Sequence, residues 1–134
     1  MEQIDRFIDA WTDNDSQTKK AFVELYEHLK TLDSTTFDFN ERPNVSYSLR
    51  PRHSEQKQRT LFAMVAVIDD DQSERWLSVC FYGEMITDPD EAGDLIPEGL
   101  LGEDGYCFDL YEYDQDEVAY LKQRLTQAHK NAAE

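Results

Sequence analysis

Leu61-Phe62-Ala63-Met64-Val65-Ala66-Val67-Ile68, followed by Asp69-Asp70-Asp71-Gln72-Ser73 and then Trp76-Leu77-Ser78-Val79-Cys80-Phe81-Tyr82, is the stretch that decides how this chain folds. The first block is apolar on both alternations of a strand, which predicts a central strand covered on both faces. The Asp-rich block is turn chemistry, and Trp76 to Tyr82 reads as the return strand of an antiparallel pair. A lone hairpin is not stable in water, so further strands and a covering layer must come from the rest of the chain.

Upstream, Phe37 and Phe39 alternate with Asp38 and Asn40, and Val45, Tyr47 and Leu49 alternate with Ser46 and Ser48. Glu41-Arg42-Pro43-Asn44 between them predicts a second hairpin with one wet face, followed by a polar connection from Pro51 to Gln58. Before it, Ile4, Phe7, Ile8 and Trp11 recur at helical spacing, as do Phe22, Leu25, Tyr26, Leu29 and Leu32. Two short helices are expected, the second capped by Asp15 or Ser16. Downstream, Glu84 to Asp104 holds eight acids, three Gly and two Pro without a clear period, and is expected to be a long loop. Strand character resumes from Gly105 to Tyr113. A final helix begins at the Asp114 cap with Glu117 three residues on, and buries Val118, Leu121, Leu125 and Ala128. The expected fold is a single α+β domain over residues 1–134. Its mainly antiparallel sheet has about five strands, with two N-terminal helices and one C-terminal helix packed on it.

Charge narrows the function. Thirteen Lys and Arg against 29 Asp and Glu leave the 134-residue chain at −16. Such a field repels nucleic acid and anionic membrane surfaces, so neither is an expected partner. The 46 residues from Trp76 to Leu121 contain no Lys or Arg and 13 acids, whereas Asn40 to Arg59 carries a local +3. The chain is therefore bipolar, and the basic stretch is expected to lie beside the acidic one. No apolar run is long enough to span a membrane, and the first residues lack the pattern of a signal peptide; a soluble, cytoplasmic protein is expected.

The Phe62-Ala63 strand, its return, the loop and the capped closing helix ending near Ala128 and Lys130 together resemble the small bacterial YdhG/MmcQ-like domains of unknown function. The resemblance runs over about Phe22 to Ala132 and implies a compact, free-standing cytoplasmic α+β fold. It supplies no catalytic residues, and the long acidic loop departs from it.

Several residue sets bear on chemistry. Asp88, Asp90, Asp94, Glu103 and Asp104 cluster on a Gly-bearing segment, as a hard cation or a basic protein partner would require. Ala92 and Gly99 fall where an EF-hand count needs ligands, so that motif fails. Arg50, Arg52, Tyr82 and Tyr106 form a candidate ligand cleft of charges and sheet aromatics. Cys80 and Cys107 lie on strands that could be neighbours. That leaves open a thiol pair, a disulfide, a soft-metal site or ordinary core packing, the reading preferred here. His28, His53 and His129 have no metal-binding spacing, and neither a nucleophile elbow nor a phosphate loop is present. No cofactor is expected. The preferred reading is a non-enzymatic binding protein whose acidic surface meets a basic partner. The alternative is a small-molecule or divalent-cation domain using residues 84–106 and the adjacent strand ends.

Overall fold

The computed structural model describes residues 2–133, which form three α-helices and one six-stranded antiparallel sheet. In chain order the elements are α1 (Glu2–Ala10), α2 (Thr18–Lys30), β1 (Thr35–Arg42), β2 (Ser46–His53), β3 (Met64–Ile68), β4 (Trp76–Tyr82), β5 (Asp94–Leu100), β6 (Glu103–Leu110) and α3 (Gln115–Ala132). The sheet order is β1-β2-β3-β4-β6-β5. No helix among the described residues is long and apolar enough to cross a membrane.

The central hairpin forms as its pattern requires, with Val65 opposite Val79 and Val67 opposite Leu77. So does the first one: Arg42-Pro43-Asn44-Val45 turns the chain, Asn44 takes a left-handed φ of 68°, and Val45 N–H donates to the Arg42 carbonyl at 2.9 Å. The three helices all lie on one face. Phe7 of α1 packs its ring on Phe39 and Tyr47, Tyr26 of α2 meets Phe37 edge-on, and Tyr120 of α3 packs on Phe108. Between them Leu49, Val65, Val67, Leu77, Val79 and Phe81 lose all solvent contact. Burying each such side chain contributes about 1.5–3 kcal/mol, which makes this layer the main source of stability.

Several expectations need correction. The sheet has six strands, because Asp94–Leu100 inside the supposed loop pairs with β6 through its backbone. Its first six residues are exposed, so hydrophobic alternation could not reveal it. The hairpin closes through Leu101 (φ 50°) and Gly102 (φ 85°), a two-residue turn with both positions in the left-handed region, where Gly is favoured. The strand expected over Leu61–Ile68 starts only at Met64, although Leu61, Phe62 and Ala63 are buried. β2 continues through Pro51 to His53, where a polar connection was expected. Helices cover β3 on one face only, so Met64 and Ile68 remain half-exposed. Neither Asp15 nor Ser16 caps α2. The N-cap is Gln17 in a left-handed conformation with no side-chain bond, and the Asp13 carboxylate accepts from Lys19 N–H at 3.3 Å instead. Asp114 does cap α3, accepting from Asp116 and Glu117 N–H at 2.9 and 3.0 Å.

The two cysteines stand directly opposite one another on β4 and β6, with Cα atoms 4.1 Å apart, and are joined in a disulfide. Core packing of free thiols is thus overturned. Register, which sequence spacing does not reveal, brings them together.

Candidate functional site

The Asp-rich turn between β3 and β4 does more than reverse the chain. Asp69 is buried and accepts from Arg75 Nε at 2.5 Å and from Asn44 N–H at 3.0 Å. Asp71 accepts from the Ser73 hydroxyl at 2.7 Å and its N–H at 3.0 Å. These bonds, hydroxyl first, hold its carboxyl below the usual range against a small opposing effect of burial. The Ser73 carbonyl accepts from Asn14 Nδ2 at 2.5 Å, and the Arg75 carbonyl from the Thr18 hydroxyl at 2.8 Å. The α1–α2 loop is thereby clamped to the turn, and Tyr113 N–H bonded to the Ser16 carbonyl at 2.7 Å ties in the end of β6.

A cleft of about 840 Å³ opens between these three segments. Asp15, Asp70, Asp71 and Glu74 stand exposed around it, and the stacked rings of Trp76 and Tyr111, 4.8 Å between centroids, form an aromatic wall. Tyr111 is 62% exposed. Arg75 also lines the cleft, but its guanidinium is paired with Asp69 and stands 5.4 Å from the ring centroids of Phe7, Trp11 and Tyr47. Exposed carboxylates beside an open aromatic face complement a guanidinium or ammonium group by charge-assisted hydrogen bonds and cation–π attraction. Sequence reasoning took Asp70 and Asp71 only as turn residues and Trp76 only as a strand residue. The available signal was a run of acids five to seven positions before an aromatic.

The acidic set read from the sequence is not one site. Asp88 is used internally: it accepts from Gly93 N–H at 2.9 Å, Ala92 N–H at 3.1 Å and the Tyr120 hydroxyl. Glu103 chelates Arg59, and Asp104 accepts from Glu98 N–H at 3.0 Å. Asp90 and Asp94 are exposed. Among the described residues no three His, Cys, Asp or Glu are placed to hold a metal ion. The segment before β5 is tied to α3, with Arg124 donating to the Thr87 carbonyl at 2.8 Å and Asn131 to that of Met85 at 2.7 Å.

Asp88 carries a pH prediction. Burial alone would raise its pKa, but bonds from Tyr120, Gly93 and Ala92 and the charge of Arg124 outweigh this and hold it below its ordinary 3.8. A depressed carboxyl stabilises the fold above its unfolded value, and that contribution fades as pH falls through the folded value. Asp88→Asn is expected to melt below wild type at pH 7, with the difference shrinking as pH falls below 3.8 and through the folded value. A constant difference across that range would show that the carboxylate's charge is not what matters.

Arg50, Arg52, Tyr82 and Tyr106 do not form a common cleft. Arg50, Arg52 and Tyr82 project from the sheet face opposite the helices, whereas Tyr106 pairs with Phe81 on the helix side. The Tyr82 ring is covered by Arg59, 4.2 Å from its centroid, and Arg59 bonds Glu84 at 2.6 Å and Glu103 at 2.8 Å. Of the basic stretch Asn40 to Arg59, Arg59 thus meets two acids of the acidic one, while Arg42, Arg50 and Arg52 stand on β1 and β2, at the other edge of the sheet from β5. Arg52 pairs with Asp38 at 3.3 Å. His53 is buried, with its ring 4.7 Å from that of His129, which bonds the Asp33 carbonyl. Comparison with known proteins found no family model, curated protein or solved structure that matches this chain.

Proposed function

We propose that this is a non-enzymatic cytoplasmic binding protein that takes a Lys/Arg-rich segment of a protein partner into the cleft beside Trp76 and Tyr111. The observation that carries this reading is the ring of four exposed carboxylates around the stack of half-exposed Trp76 on exposed Tyr111, in a chain already at −16. Long-range attraction brings a basic segment in, and the rings give its cationic groups a face to rest on. The likeness to YdhG/MmcQ-like domains adds no residue to the site.

A short Arg/Lys peptide titrated against the protein, followed by Trp fluorescence, tests this. Trp11 is 4% exposed, so a response should come from Trp76. Asp70→Asn with Asp71→Asn, read by fluorescence, and Trp76→Ala, which lacks the reporter and is read by titration calorimetry, are each expected to weaken binding at least about tenfold, as is raising salt from about 50 to 200 mM. Undiminished binding by these variants would move the contact away from the cleft. Equal affinity for an acidic control peptide would end the reading.

A further inference from the structure

Cys80 and Cys107 belong to a row that crosses the sheet on the face turned away from the helices. In register the row runs Met64, Cys80, Cys107, so Met64 on β3 stands directly opposite Cys80 on the side away from Cys107. Residues opposite one another in a sheet point to the same face, with Cβ atoms about 4.5–5.5 Å apart, and three sulfur-bearing side chains therefore lie side by side. The two cysteines, with Cα atoms 4.1 Å apart, belong to the closer kind of antiparallel pair. Both are buried, whereas Met64 is half-exposed. Ala66 and Ser78, the next residues along on the same face, have small side chains and leave the row open to approach. Arg50 of β2 lies one position beyond the Leu49–Val65 pair, level with Met64.

We infer that in the reduced protein Cys80, Cys107 and Met64 bind the soft monovalent cation Cu(I) in a three-sulfur site. Opening the bond takes a low-molecular-weight thiol as reductant: two such thiols give up two electrons and two protons, leaving their own disulfide and two cysteine thiols here. Binding then releases the two cysteine protons as two sulfur–copper bonds form, and the Met64 thioether adds a third, neutral donor. Metal–thiolate bonds of about 2.3 Å need the two sulfurs roughly 4 Å apart, which rotation about χ1 supplies at this strand spacing. Thiolate and thioether are the donors that select Cu(I). Zn(II) takes four ligands, and among the described residues no His, Asp or Glu is placed to join the two cysteines in such a set. Two thiolates on one Cu(I) leave one net negative charge, and Arg50 stands at the Met64 end to offset it. The Ser78 hydroxyl, 3.6 Å from Cys80 Sγ, donates to that sulfur once it is a thiolate and supports it from outside the metal's own ligands. The site is separate from the peptide cleft, and neither reading depends on the other.

The test is a titration of the full chain with Cu(I) in competition with bicinchoninate, under nitrogen, after reduction by a phosphine that is then removed. One Cu(I) per chain is expected, with an ultraviolet thiolate-to-copper charge-transfer band and a first shell of three sulfurs by X-ray absorption. Met64→Leu should keep the circular dichroism of wild type, drop the shell to two sulfurs and weaken binding at least about tenfold. Oxidised wild type should bind no Cu(I), and neither should Cys80→Ser with Cys107→Ser. Zn(II) at equal concentration should leave the Cu(I) in place. No one-to-one binding by the reduced chain, binding retained by the oxidised chain or the double Ser variant, Met64→Leu indistinguishable from wild type, or displacement by zinc would each overturn the site.

Discussion

Asp69→Ala is expected to lower the stability of the fold by about 3–5 kcal/mol, the usual result of removing one partner of a buried ion pair. The Asp69 side chain has no solvent exposure, and that of Arg75 only 9%. The carboxylate also accepts from Asn44 N–H, so its loss strands a buried cation and a backbone donor of the first hairpin turn together. The rings of Phe7, Trp11 and Tyr47 beside the guanidinium cannot replace a counter-charge, since cation–π attraction is worth about 0.5–2 kcal/mol. Urea unfolding should report the loss directly, and the melting temperature should fall by on the order of 10–20 °C. Asp69→Asn combined with Arg75→Met should cost less than Asp69→Ala alone, because it removes the stranded charge. A single-variant loss below about 1 kcal/mol would mean that water reaches the pair in solution. The same substitution should weaken the basic peptide, because Arg75 and its carbonyl anchor the floor of the cleft through Thr18.

Opening the Cys80–Cys107 bridge is the second large effect. The bond closes a loop with a sequence separation of 27, and the loop-entropy account assigns such a cross-link about 3–4 kcal/mol through the unfolded chain. Reduction adds two electrons and two protons and restores two thiols beside Ser78, whose hydroxyl lies 3.6 Å from Cys80 Sγ. The oxidised protein is expected to melt on the order of 10 °C above the reduced one. Cys80→Ser with Cys107→Ser should match the reduced wild type and ignore reductant. If wild type melts identically with and without reductant, the cross-link contributes nothing to stability. Alkylating the protein as it leaves the cell should show which form it holds there; bonded pairs are uncommon in the cytoplasm, so finding mostly thiols would fit the proposed location.

The sequence by itself determined the layered α+β plan, the two β-hairpins around Pro43 and Asp70, the buried stripes of the helices and the Asp114 cap. These depend on local periodicity and on side chains that bond their own backbone. They therefore leave a pattern within about ten residues. It also determined the charge asymmetry, which composition alone carries. It did not show β5, because an exposed edge strand holds its place by backbone hydrogen bonds to β6 and leaves no apolar alternation. Nor did it show which acids are free. Asp88, Glu103 and Asp104 look equivalent to Asp90 and Asp94 in sequence, yet they are committed to Tyr120, Arg59 and Glu98. Only the tertiary structure decided these points, together with the cysteine pairing, the buried Asp69–Arg75 pair and the cleft between Asn14, Ser73 and Tyr111. Each joins residues far apart in the chain through strand register and helix docking, and no local pattern encodes such a distance.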